Sequence, residues 1–199
     1  MSITKVNADV LDLTDDYAIS GSLASAGSGR VIEVLAMLCD GGSVTVGSGT
    51  YSSVAATSEQ TLSTTFADVI GSNITYTPPS GAKAVIYEYE FLMGHQDASA
   101  LMHQKLFLAG TEVVHARADH SNQGGTPDNL VHISWIFKIG DGNDTNTGKV
   151  ATWTSGKEIK IQARNYSTSF ETGLNMSAYF DGTTEDNLRI PTLKITAIS

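Results

Sequence analysis

Leu130–Ile139 reads LVHISWIFKI, and this stretch decides the fold. Val131, Ile133, Trp135, Phe137 and Ile139 fall on one side of an extended chain. Leu130, His132, Ser134, Ile136 and Lys138 fall on the other. A period of two, rich in β-branched and aromatic residues, marks a half-buried strand. Burying the five apolar side chains contributes about 10 kcal/mol gross, at roughly 1.5–3 kcal/mol each. That is comparable with the whole net stability of a domain, about 5–15 kcal/mol, before ordering entropy opposes it. Such a strand needs a packed sheet opposite it.

The rest of the chain supplies that sheet. Lys83–Met93 alternates again, with Val85, Tyr87, Tyr89, Phe91 and Met93 inward and Glu88 and Glu90 outward. Leu101–Leu108 and Thr111–Asp119 flank Ala109-Gly110 and read as a β-hairpin. Lys157–Tyr166 turns Ile159, Ile161 and Ala163 inward, Asn175–Phe180 groups Met176, Ala178 and Phe180, and Leu188–Ile198 uses Leu193, Ile195 and Ala197. Shorter pieces precede Pro78-Pro79, which cannot sit in a central strand: Gln60–Phe66, Ala67–Ile70 and Asn73–Thr77. Eight or nine strands, with turn clusters about every 8–12 residues and no convincing helix, predict an all-β chain. The expected architecture is an antiparallel β-sandwich or barrel of jelly-roll type with a small N-terminal β segment.

Upstream the signals are weaker. Arg30–Cys39 is ambiguous: Val31, Val34, Leu35 and Leu38 fit helical spacing, yet the run is short, β-branched at its start and bounded by glycines, which favours a strand. Residues 41–58, rich in Gly, Ser and Thr, read as a connector with one short strand. Residues 1–28 carry two short alternating pieces, around Val6, Ala8 and Val10 and around Tyr17 and Ile19. Two strands alone are marginal in water, so they need a partner. The division is therefore 1–40 as an N-terminal segment, 41–58 as connector and 59–199 as the jelly-roll domain.

Composition narrows function. With 199 residues, 41% hydrophobic and 17% charged, the chain can bury one good core. A formal charge of −9 and no basic stripe exclude a phosphate-backbone binder. Cys39 is the sole cysteine, so no internal disulfide framework exists, and beside Leu38 it reads as a small buried hydrophobe. The N-terminus shows no signal-peptide pattern, and the longest apolar run, Val34–Cys39, is too short to span a bilayer. Synthesis in a cytoplasm, as a soluble protein without membrane insertion, is expected.

No constellation amounts to an active site. His95, His103, His115, His120 and His132 fit no helical zinc motif. A metal held by one histidine from each of three subunits is the residual metal reading. DGNDTNTG at 141–148 resembles half of a calcium loop but has Asn146 where glycine belongs and Thr152 where glutamate belongs, so it reads as a polar turn. Glu88 and Glu90 pair two carboxylates on one face, as a glycosidase could, but a solvated strand face explains them. No catalytic residue, metal or cofactor is assigned. Gln96, His120, Asn122, Gln123, Tyr166 and Phe170, in or near loops, are candidate glycan contacts.

From Glu59 onward the order of signals resembles a known family. The pieces are EQTLSTTFADVIGSNITYTPPSGAKAVIYEYEF, HQKLFLAGTEVVHARADHS, VHISWIFKIGDG, KEIKIQARNYS and LRIPTLKITAI. The most telling are TPPSGAKAVI after a strand, the LFLAGTEV hairpin and the closing strand. Together they resemble the trimeric jelly-roll modules on tailed-bacteriophage surfaces, found as capsid decoration or cement proteins and as fibre tips. The opening ITKVNADVLDLTDDYAISGS is similar, more loosely, to openings of short phage virion proteins. The resemblance implies a homotrimer on the virion surface, without cofactor or catalysis, fixed to the major capsid protein or another virion protein. Val6, Val10, Leu11, Leu13, Tyr17 and Ile19 would then attach it to the shell. Without a long shaft or coiled-coil repeat, a compact knob on a shell is favoured over a tail-fibre tip that holds a host surface glycan. A polysaccharide hydrolase is the third reading.

Overall fold

The computed structural model describes residues 29–95, 99–122, 128–140, 142–178 and 186–199. The alternating pieces within 1–28 and Phe180 lie outside them. Among the described residues the strands are, in order, β1 Val31–Leu38, β2 Ser43–Val46, β3 Gly49–Ser52, β4 Gln60–Thr61, β5 Ala67–Asp68 and β6 Ile74–Tyr76. Then come β7 Ala84–His95, β8 Ala100–Leu108, β9 Thr111–Asn122, β10 Asn129–Lys138 and β11 Lys157–Asn165. Last are β12 Thr172–Leu174, β13 Met176–Ala178, β14 Asp186–Leu188 and β15 Thr192–Ile198.

Two antiparallel sheets carry the core. In the first, β1, β15, β7 and β10 lie side by side, while β12 pairs with the last residues of β7, Met93–His95, past the end of β15, and β4 pairs with β12. In the second, β11 holds β8 and then β9 on one side and β5 and β6 on the other. The fold is all-β, an antiparallel sandwich of jelly-roll type. Alternation puts the predicted side chains inside: Val85, Tyr87, Tyr89, Phe91 and Met93 of β7 are fully buried, as are Ile159, Ile161 and Ala163 of β11. Leu193, Ile195 and Ala197 of β15 and Val131, Ile133 and Phe137 of β10 join them. Buried tyrosine hydroxyls need acceptors, and they have them: Tyr87 donates to the Ser72 carbonyl at 2.6 Å and Tyr89 to that of Ile70 at 2.7 Å.

The hairpin forms at the predicted place. Ala109 (φ 49°) and Gly110 (φ 77°) both take the left-handed conformation that a two-residue turn between twisted strands requires. Further along, the β8–β9 register shifts between Leu106 and Gln104, where β9 bulges at Val114–Arg117.

The helical alternative for Arg30–Cys39 is corrected. Val31–Leu38 is a strand, paired with the C-terminal strand from Val31↔Ile198 to Leu38↔Thr192. Its inward residues are Glu33, Leu35 and Met37, with Cys39 following. Residues 41–58, read as a connector with one strand, contain a hairpin, β2–β3. It lies with β2 beside β1 and β3 beside β6, and it sends Tyr51 into the core. The packed body thus takes in residues from both upstream segments. Buried Glu33 fastens this side: its carboxylate accepts from the Tyr76 hydroxyl (2.6 Å), the Ser48 N–H (2.8 Å) and the Ser48 hydroxyl (2.6 Å).

Candidate functional site

The β2–β3 hairpin closes the sandwich on one side. On the other, β9 and β10 are each the last strand of their sheet. The backbone of β10 shows which of its groups are left over. The Ile139 N–H donates to the Lys83 carbonyl, so odd-numbered residues here point their peptide groups at β7. The Lys138 carbonyl instead accepts from the Val150 N–H, on the side away from β7. Antiparallel geometry alternates these directions along a strand. The peptide groups of Leu130, His132, Ser134 and Ile136 therefore face outward, with no strand beside them among the described residues.

Two staples flank this open edge. At one end the Asn129 side-chain amide donates to the Ser121 carbonyl of β9 at 3.0 Å. At the other the 142–150 turn bridges the gap, where the Asn146 and Thr147 carbonyls accept from the His115 N–H and the Trp135 indole N–H, both at 3.0 Å. Between them runs a groove of about 240 Å³ lined by Gln104, His115, Arg117, His120, His132 and Trp135. His120 shares a 2.9 Å hydrogen bond with buried Gln104. Burial holds its pKa below the usual histidine value, against the pull of Asp119 in the other direction. Leu130 and Ile136 are 51% and 53% exposed on the outer face of the same strand.

The candidate glycan contacts separate. Tyr166 and Phe170 come together edge to face, with ring centroids 6.0 Å apart, and His103 lies 5.4 Å from Tyr166. His103 in turn pairs with Asp119. Tyr166 is 55% exposed, so this cluster presents an aromatic surface. His120 turns into the groove instead, and Asn122 is buried, which withdraws its side chain from solvent. Gln96 and Gln123 lie outside the described residues, as do Val6, Val10, Leu11, Leu13, Tyr17 and Ile19. Neither the open edge nor the groove was singled out from sequence. The exposed Leu130 and Ile136 on the polar side of an amphipathic strand were the available signal.

The chemistry-bearing motifs are engaged in structure. Glu88 pairs with Lys194 at 2.8 Å and His132 at 3.6 Å, and Glu90 pairs with Arg189 at 2.8 Å. In the 141–148 turn, Asp144 accepts from the Asn146 N–H and the Thr147 hydroxyl, and Asn143 accepts from the Ala151 N–H. Those oxygens close the turn. Among the described residues no three His, Cys, Asp or Glu side chains gather as metal ligands. Cys39 is buried and donates to the Gly71 carbonyl at 3.2 Å. Burial, with Asp40 nearby, pushes its thiol pKa up to about 12, so it is inert.

No protein-family model matches the chain, and no characterised protein sequence matches it either. Among solved structures it is similar to "Structure of infectious bursal disease virus Gx strain", at 12% identity and a TM-score of 0.39, over 86% of this chain and 37% of that one. It is also similar to "Crystal structure of infectious bursal disease virus VP2 subviral particle", at 12% identity and a TM-score of 0.31, over 86% of this chain and 40% of that one. The chain spans about two fifths of the length of these viral chains.

Proposed function

We propose that the chain is a non-enzymatic structural protein of a tailed-bacteriophage virion: a homotrimer that decorates or cements the head shell. The observation that carries this is the unfinished side of the sandwich. A ten-residue edge strand with outward peptide groups and half-exposed Leu130 and Ile136 is an aggregation hazard in a lone soluble domain. In an assembly subunit a neighbour covers it. The jelly roll projects, and the residues that precede the sheet, Val6, Val10, Leu11, Leu13, Tyr17 and Ile19 among them, attach to the major capsid protein or another virion protein. Strand addition suits a segment too short to bury its own apolar face.

Copy number per particle tests this. Mass-spectrometric ratios against the major shell protein should give hundreds of copies for a head decoration protein. Absence from purified particles removes the virion role altogether. A few to a few dozen copies would place the protein on the tail, as a fibre or receptor-binding tip. The exposed Tyr166–Phe170–His103 cluster favours that second reading, because aromatic faces suit sugar rings. Binding of the isolated protein to host cells or their surface polysaccharide would support it, and no binding at millimolar sugar would count against it.

A further inference from the structure

The first sheet has an outer face as well as an inner one, and the registers assemble it row by row. One row runs Ile136, Ile86, Thr196, Val34 across β10, β7, β15 and β1. The next, toward the sheet end, runs Lys138, Ala84, Ile198, Val31. On the other side come Ser134, Glu88, Lys194, Ala36 and then His132, Glu90, Thr192, Leu38. The face is therefore apolar at one end and charged in the middle. Val31 is 52% and Val34 47% exposed, although both lie on a strand whose other side is core.

We propose that this apolar end, centred on Val34, Ile86, Ile136 and Ile198, is the contact between copies of the chain, three such faces packing around one axis. The inference rests on the trimeric reading above and assigns its surface. Charge selects a second copy as the occupant. The chain carries −9 overall, so copies repel over most of their surface. This face sets three cations, Lys138, Lys194 and Arg189, against two carboxylates, Glu88 and Glu90, and pairs both carboxylates internally. With both carboxylates paired and Lys138 the one cation left over, another copy meets here none of the net negative charge that repels it elsewhere, and a strongly acidic or basic partner finds only a single charge to answer.

Geometry agrees with the number three. Four strands at about 4.8 Å spacing make a face roughly 19 Å wide. Three faces of that width around an axis each stand about 5–6 Å from it. Stacked sheets lie about 10 Å apart, so each contributes about half that depth of side chain. Three copies thus fill the space between them without a void.

Sedimentation of the full-length chain, alone and with Val34→Lys and Ile136→Lys together, tests the assignment. The unaltered chain is expected at three times the 21.0 kDa chain mass, and the double variant at 21.0 kDa with an unchanged circular dichroism spectrum. Tyr166→Lys, equally exposed but off this face, should stay trimeric. A folded double variant that remains trimeric overturns the face assignment and leaves the trimer standing. An unaltered chain sedimenting at 21.0 kDa removes the trimer and this contact with it. Should the lysines prevent folding, Val34→Cys combined with Ile136→Cys decides, because three faces around an axis bring β10 of one copy against β1 of the next. Cys39 is buried, so oxidation should link position 34 of one copy to position 136 of another, and a trimer that yields no linked species overturns the proposal.

Discussion

Glu33 is the residue whose role hydropathy hides most completely. It stands on the inward face of β1 at 9% exposure, where an alternating strand should carry an apolar side chain. Its carboxylate accepts from Tyr76 and twice from Ser48, and Tyr51 extends the network to the Thr77 carbonyl at 3.0 Å. Glu33→Ala strands the Tyr76 hydroxyl and the Ser48 N–H, at roughly 1–3 kcal/mol for each unsatisfied buried group. A loss of about 2–4 kcal/mol in urea unfolding is expected. A loss under 1 kcal/mol would mean that water satisfies both donors. His120 gives a second test. Its folded pKa is lowered by burial, so on acidification the unfolded chain takes up the proton first. Its contribution to stability is complete above about pH 6.5, the unfolded value, and is lost as pH falls through the lower folded value. Asp68 and Glu112 also have lowered pKa values. Burial pushes Asp68 up, but hydrogen bonds from Gln162 and Lys160 outweigh it, and Arg117 leads for Glu112. Their losses come below about pH 4.5, which leaves the histidine window clear. The midpoint of urea unfolding should fall between pH 7 and pH 5, and His120→Gln should flatten that slope.

At the scale of elements, β10 makes the sharpest prediction. The peptide N–H groups of Val131, Ile133, Trp135 and Phe137 point at β7, and those of Leu130, His132, Ser134 and Ile136 point away. Hydrogen exchange of the dissociated monomer should alternate along the strand, with the even-numbered amides exchanging fast and the odd ones protected. Protection of both sets in the monomer would mean that another segment covers the edge. The element map also shows what could be read in advance. β7, β10, β11 and β15 were legible because each sends an unbroken period-two run of large apolar residues into one core. β1 was legible only through its short length, β-branched start and flanking glycines, because Glu33 interrupts its buried side while Val31, Val34 and Leu38 populate its outer one, so the apolar residues mimic helical spacing. The β2–β3 hairpin was half seen, since its Ser43–Ser52 and Thr45–Thr50 hydroxyl pairs look like connector composition. The β9 bulge left no trace in the sequence. The open edge was illegible for a related reason: a strand's pattern tells which face is buried, not whether a neighbour lies beside it.

For the whole molecule, the question is which parts act in isolation and which act in assembly. The described sheet begins where the Gly29 N–H donates to the Ser199 carbonyl, and the ladders among the described residues join strands from Val31 to Ile198 to one another. The core residues among those described run from Leu35 to Ala197 and pack into one cluster. A chain lacking residues 1–28 should therefore fold, with a cooperative thermal transition close to that of the full chain. If copies meet through the outer face of the first sheet, the shortened chain should also trimerise, because Val34, Ile86, Ile136 and Ile198 remain. What it should lose is the particle. Added to shells stripped of the native protein, the full chain should bind to saturation, and the shortened one should show at least a tenfold loss of bound copies. Full rebinding by the shortened chain would move shell attachment onto the sandwich itself, with the β10 edge and its groove as the surface to mutate next. Failure to trimerise would place the contact between copies in the removed residues instead. Folding, trimerisation and attachment thus come apart in a single variant, each with its own readout.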